Sequence, residues 1–208
     1  MYIYLDGLAR SGNVFLSFAL NSFFENQIIS KRTHDISSLK KYIKGTCFIV
    51  PVRDALPSLV SNVIYMDHVI SNEMFGGSKV SNNYLDNLVS SNKAYLEYLV
   101  EHDNFFIAPF EEITKDHISV CRVVAAQYPE LTPSGKIESS KELIATAEKT
   151  NPYLYDPHIG NVPRDSNLDK SETEAILVSK YGKELEEMQK SIEILYDRYH
   201  SIKQFHNL

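Results

Sequence analysis

The sequence predicts an α/β protein, a compact three-layer fold with a central, mostly parallel sheet. Three observations predict it. Residues 2–6, YIYLD, are β-prone and stop at Gly7, and an apolar helical stretch, NVFLSFALNSFF, follows at 13–24. TCFIVPV at 46–52 is dense in Phe, Ile and Val without polar alternation, as in a central parallel strand covered on both faces. NFFIAPF at 104–110 reads as a second buried strand.

The elements follow in order. The opening strand, loop and helix form one α/β unit, with Val14, Phe15, Phe18, Ala19, Ser22 and Phe23 on the helix's apolar face. QIISK at 27–31 is a second short strand leading into RTHD at 32–35, and a short helix over 36–43 breaks at Gly45. Pro51 lacks a ladder donor and belongs near the C-terminal end of its strand. The helix over 54–67 has Asp54 as its cap and Pro57 in an early turn. The polar, glycine-rich stretch 71–82 is a loop. A helix over 83–102 carries Leu85, Leu88, Val89, Tyr95, Leu96 and Leu99. After the strand at 104–110 the chain turns polar before a helix at about 115–127. The Pro-, Asn-, Asp- and Gly-rich stretch 129–165 holds one short helix near 139–148. A long terminal helix over 169–205 presents Leu177, Tyr181, Leu185, Met188, Ile192, Leu195, Tyr196 and Tyr199 to the core, in preference to a partner surface.

The 208 residues, 43% hydrophobic, suit one domain over 1–208 with a substantial core. A formal charge of −6 argues against a generally basic nucleic-acid binder but leaves room for a local anion pocket. Cys47 and Cys121 lie in no CxxC pair and read as buried small hydrophobes. No apolar run is long enough for a membrane span, and Asp6 and Arg10 interrupt the first one, so a soluble, cytoplasmic or otherwise intracellular chain is expected. No metal cluster stands out. The adjacent Glu111 and Glu112 are read as structural, with Glu111 orienting a loop or an arginine, because carboxylates paired for glycoside chemistry stand opposite each other.

The chemistry gathers at two junctions. GLARSG at 7–12 enters a helix N-terminus, whose backbone N–H groups lack intrahelical partners and lie at the positive end of the helix dipole. Arg10 can offer a bidentate fork to phosphate or sulfate oxygens, and Ser11 and Asn13 offer side-chain donors. An ordinary turn with a surface arginine is the competing reading. The second junction is RDALPSLVS at 53–61, where Arg53 follows the central strand and Ser61 stands two turns along the next helix. Both arginines fall at C-terminal strand ends, the usual ligand edge of a parallel sheet. Two separated anion sites imply a ligand with phosphates at two ends.

These segments resemble the P-loop-containing sulfotransferases that use 3′-phosphoadenosine 5′-phosphosulfate. ARSGNVF at 9–15 is similar to the family's Pro-Lys/Arg-Ser-Gly-Thr-Thr-Trp/Phe loop: Arg10, Ser11 and Gly12 match, while Ala9 replaces the proline and Asn13 and Val14 the threonines. RDALPSLVS keeps the Arg53 and Ser61 spacing of the family's 3′-phosphate signature, with Ala55 at the proline position. Arg32–Thr33–His34 resembles a Lys-Thr-His segment, Phe110–Glu111–Glu112–Ile113 a Tyr-Glu-Asp-Leu/Met segment, and HIGNVPR at 158–164, with Gly160 and Arg164, a late basic-glycine loop. The resemblance implies donor binding by Arg10, Ser11, Gly12, Asn13, Val14, Arg53, Ser61, Gly160 and Arg164. It implies Arg10 as the charge-stabilising residue and His34 as the base for the acceptor's proton, with no metal. It implies a hydroxyl or amine acceptor, and the polar composition of 66–84 and 129–158 favours a glycan over a small phenol. Two other readings stay open: a kinase-like P-loop enzyme, against which the absent Walker Lys-Ser/Thr pair counts, and an inactive nucleotide-binding or structural protein. In any of them the terminal helix offers a homodimer surface.

Overall fold

The computed structural model describes residues 1–8, 11–30, 36–40, 46–69, 81–150 and 169–208. Its sheet has four parallel strands in the order β2-β1-β3-β4: β1 (Ile3–Leu5), β2 (Ile28–Ser30), β3 (Cys47–Val52) and β4 (Phe106–Pro109). The helices are α1 (Asn13–Phe23), α2 (Ile36–Leu39), α3 (Ala55–Val69), α4 (Asn82–Glu101), α5 (Phe110–Gln127), α6 (Ser140–Thr150) and α7 (Lys170–Phe205).

Strand alternation builds two cores. Phe48, Val50 and Val52 of β3 and Ile107 of β4 face one core, with α3, α4 and most of α7. Cys47 and Ile49, with Phe106 and Ala108, face the other, with α1, α5 and Leu143 of α6. Helices therefore cover both faces, as the unbroken apolar run of β3 predicts. Both cysteines are free and buried; burial raises both thiols, Cys121 from 9.0 to about 12. No described helix is long and apolar enough to cross a membrane.

Three local differences from the sequence reading matter. In α1 the fully buried stripe is Asn13, Leu16, Ala19 and Leu20, while Phe15, Phe18 and Phe23 are only partly buried against the same core. The stripe begins with an asparagine, so residue 13 points inward. Helix α5 starts at once after β4, at Phe110. It kinks at Asp116 (φ −154°, ψ 78°), whose carboxylate accepts from Ser119 N–H at 3.0 Å, so the expected helix at 115–127 is its second segment. The first amide of α3, Ala55 N–H, is satisfied by Gln189 Oε1 at 3.3 Å, and Asp54 Oδ1 accepts from Gln189 Nε2 at 3.2 Å.

The apolar face of α7 is core: Leu177, Tyr181, Leu185, Met188, Ile192, Leu195 and Tyr199 are all buried. Its start is capped by Asp169, which accepts from Ser171 N–H at 2.6 Å. Near its other end Arg198 caps α4, donating to Leu99 O at 2.8 Å, His102 O at 2.9 Å and Val100 O. Those carbonyls have no partner within their own helix. Arg198→Ala is expected to lower unfolding free energy by roughly 2–4 kcal/mol in urea titrations. Arg198→Lys should recover only part, because an ammonium cannot reproduce the fork.

Candidate anion-binding site

Strand order places the candidate site. From β1 the chain passes through α1, on one face of the sheet, to β2; from β3 it passes into α3 on the opposite face. The two connections part company between β1 and β3, at the carboxyl ends of the strands. Parallel α/β sheets bind ligands at such switch points.

The β1 side of the candidate site is a tightly closed turn. Ser11 N–H bonds Leu8 O at 3.3 Å, and Ser11 Oγ donates to the same oxygen at 2.5 Å. Asn13 Nδ2 donates to Gly7 O at 3.1 Å, Leu8 O at 3.0 Å and Ser11 Oγ at 3.3 Å. The Ser11 and Asn13 side-chain donors, which the sequence analysis assigns to an anion, are thus turned into the loop itself. Gly12 is the N-cap of α1 with φ 91°, and no side chain caps the helix amides behind it. Of the eight buried polar or charged residues described, three (Asp6, Ser11 and Asn13) lie in this stretch. A core alone does not call for such a concentration, because each buried polar group must be satisfied.

The two glycines are required for different reasons. A Cβ on Gly7 would stand 2.6 Å from Pro51 O and 2.8 Å from Pro51 Cδ, so the loop and β3 touch through bare backbone. Pro51 fits there because its missing N–H faces the β1 side, two residues beyond Ile49, whose carbonyl takes Asp6 N–H at 3.3 Å. A Cβ on Gly12 would meet the Phe110 ring at 3.1 Å, in a left-handed backbone conformation.

The β3 side supplies Arg53. Val52 and Pro109 are the last register pair of β3 with β4, so Arg53 and Phe110 are the next residues across the same edge. The Arg53 guanidinium carbon lies 4.4 Å from the Phe110 ring centroid. One aromatic ring therefore packs against Arg53 and leaves no room for a side chain on Gly12. Ser61 is half-buried and lies six residues into α3, about 9 Å along its axis. Val14 is half-buried on the first turn of α1. Arg10, His34, Gly160 and Arg164 lie outside the described residues.

Residues that the sequence reading did not assign complete the edge. Tyr196 Oη donates to Glu111 Oε2 at 2.9 Å and to Val52 O at 3.4 Å. Burial first, then the charge of Glu111, pushes the Tyr196 phenol well above its ordinary range, so it remains a donor at neutral pH. Glu111 orients this tyrosine, and Glu112 pairs with Lys203 at 2.7 Å. Gln189 and Tyr196 stand two helical turns apart on α7, a spacing of one face, which is the signal that could have joined them. Phe110, expected as the last residue of the second buried strand and the first of the Tyr-Glu-Asp-Leu/Met-like segment, is instead the first residue of α5. Among the described residues no group of three His, Cys, Asp or Glu side chains is placed to hold a metal. Buried His117 bonds Glu138 O at 2.9 Å and packs edge-on to Phe15, a structural arrangement on the α1–α5 face.

Gly12→Ala is expected to cost about 1–2 kcal/mol from its backbone conformation, plus crowding of Phe110, in urea unfolding. Gly7→Ala should cost more, because its neighbour is backbone and cannot turn aside; equal costs would contradict the close approach of loop and strand. No protein-family model, curated protein or solved structure matches the chain.

Proposed function

We propose that the chain binds 3′-phosphoadenosine 5′-phosphosulfate at this site and transfers its sulfuryl group to a hydroxyl or amine acceptor, a glycan in preference to a small phenol. The observation that carries the reading is the meeting of the Gly12 turn and Arg53 on the Phe110 ring. Two segments that resemble the family's 5′ and 3′ signatures, more than forty residues apart in the chain, come near the same ring at the carboxyl edge of the sheet.

The roles follow from charge. The open amides at the start of α1 suit the 5′-phosphosulfate, and Arg53, with Ser61 further along α3, suits the 3′-phosphate. Binding of the remote phosphate orients the donor for reaction at sulfur. In the transfer the acceptor oxygen or nitrogen bonds to sulfur, the bond from sulfur to the phosphate oxygen breaks, and the acceptor's proton passes to a base. The resemblance assigns the base to His34 and the neutralisation of leaving-group charge to Arg10. Gly160 and Arg164 would complete the 3′-phosphate site.

One observation favours a second reading, a nucleotide-binding protein without turnover. The Ser11 and Asn13 donors serve the loop, which leaves the described part of the cradle to backbone groups. Donor consumption separates the two readings once binding is established.

Calorimetric titration of the wild type is expected to show preference for 3′,5′-adenosine bisphosphate over ATP with Mg²⁺. Arg53→Ala should weaken bisphosphate binding about 10- to 100-fold, the scale of a charge-assisted phosphate contact. A folded wild type that ignores the bisphosphate would contradict the proposal, and Mg²⁺-dependent ATP binding would redirect it to a kinase-like enzyme.

A further inference from the structure

Three hydrogen bonds from α7 hold the segment around Arg53. Tyr196 Oη reaches Val52 O, Gln189 Oε1 takes Ala55 N–H, and Gln189 Nε2 bonds the Asp54 carboxylate. Both anchoring residues come from α7, whose neighbouring Leu185, Met188, Ile192 and Leu195 are buried in the core. The Phe110 ring lies against the Arg53 side chain itself, 4.4 Å from the guanidinium carbon. Phe110 is itself fixed, as the first residue of α5 immediately after β4, with its ring edge against Gly12.

We propose that Phe110 is a positioning residue for ligand recognition: its ring aims Arg53 and couples it to the Gly12 turn, so the two sides act as one site for a doubly phosphorylated nucleotide. This rests on the donor-site reading above. The physical basis is the shape of the two groups. A guanidinium is planar, and its N–H donors lie in that plane. The cation–π contact between the guanidinium and the ring restricts the rotamers of the arginine and so narrows the directions its fork can take. An arginine oriented in advance loses less rotamer freedom on binding, which appears as affinity. The same ring borders the Gly12 turn, so it sets the spacing between the two anion contacts, which only a ligand phosphorylated at both ends reads. A leucine keeps the apolar volume but has no π face for the cation. A tyrosine keeps the face.

The test is a calorimetric double-mutant cycle with 3′,5′-adenosine bisphosphate and 5′-AMP as probes, on wild type, Phe110→Leu, Phe110→Tyr, Arg53→Ala and the Phe110→Leu/Arg53→Ala double variant. Phe110→Leu is expected to weaken bisphosphate binding about 2- to 30-fold and to narrow its preference over 5′-AMP. Phe110→Tyr should keep that preference. In the Arg53→Ala background Phe110→Leu should add less than about twofold, because the residue it aims is gone. Equal weakening toward both nucleotides, or full multiplication of the two single effects, overturns the inference while leaving the donor site standing. A wild type that binds neither nucleotide overturns the donor-site reading and the inference with it. If Phe110→Leu does not fold, the wild-type proton spectrum decides: the Arg53 δ-methylene resonances should be ring-current shifted upfield, and their appearance at unshifted positions overturns the stack.

Discussion

The pairing of β3 with its two neighbours sets the position of everything at the candidate site. Every residue of β3 is buried, β1 pairs on one side and β4 on the other, and the β3–β4 register ends at Val52 opposite Pro109. A slip of one residue would exchange Phe48, Val50 and Val52 with Cys47 and Ile49 between the two cores. The slip would also carry Arg53 away from Phe110. Apolar packing on both faces therefore holds the register, and the register puts a cation beside an aromatic ring at the carboxyl edge. The meeting of cation and ring at this edge is a consequence of core packing.

The same strand explains the shape of the opposite wall. Pro51 would be costly in mid-ladder, but its missing donor faces the side where β1 has already ended and Gly7 crosses. A bare glycine lets the loop lie on the strand, and Asn13 then pins the loop through Gly7 O and Leu8 O. Helix α7 holds the third side. It is anchored in the first core through Leu177 to Leu195, reaches the second through Tyr199, and between them sends Gln189 and Tyr196 to the Arg53 turn. Truncation of α7 would thus disturb the candidate site as well as the core.

The fold was largely legible because its strongest signals are local. Undisguised apolar runs marked β3 and β4, helical periodicity marked α4 and α7, and glycine closed the first strand. The site was legible in part, through the arginine at the strand end and the glycine at the helix start. The inward turn of Asn13 was not, because an amide at a helix start suits an anion as well as it suits the preceding loop, although residue 13 shares a helical stripe with Leu16 and Leu20. The immediate start of α5 was obscured by the acidic pair at 111–112, which suits a helix N-terminus equally well. The role of Phe110 depends on the register between two strands more than fifty residues apart, and no local pattern carries that information.

The account treats the Gly12 turn and Arg53 as one binding unit built on one ring. The most direct measurement is a nuclear magnetic resonance titration with 3′,5′-adenosine bisphosphate, following the Gly12 and Asn13 backbone amides and the Arg53 Nε–H in the same sample. The account predicts that all three shift together and saturate at the same ligand concentration. Saturation of the turn amides with an unmoved Arg53 signal, or the reverse, would contradict it.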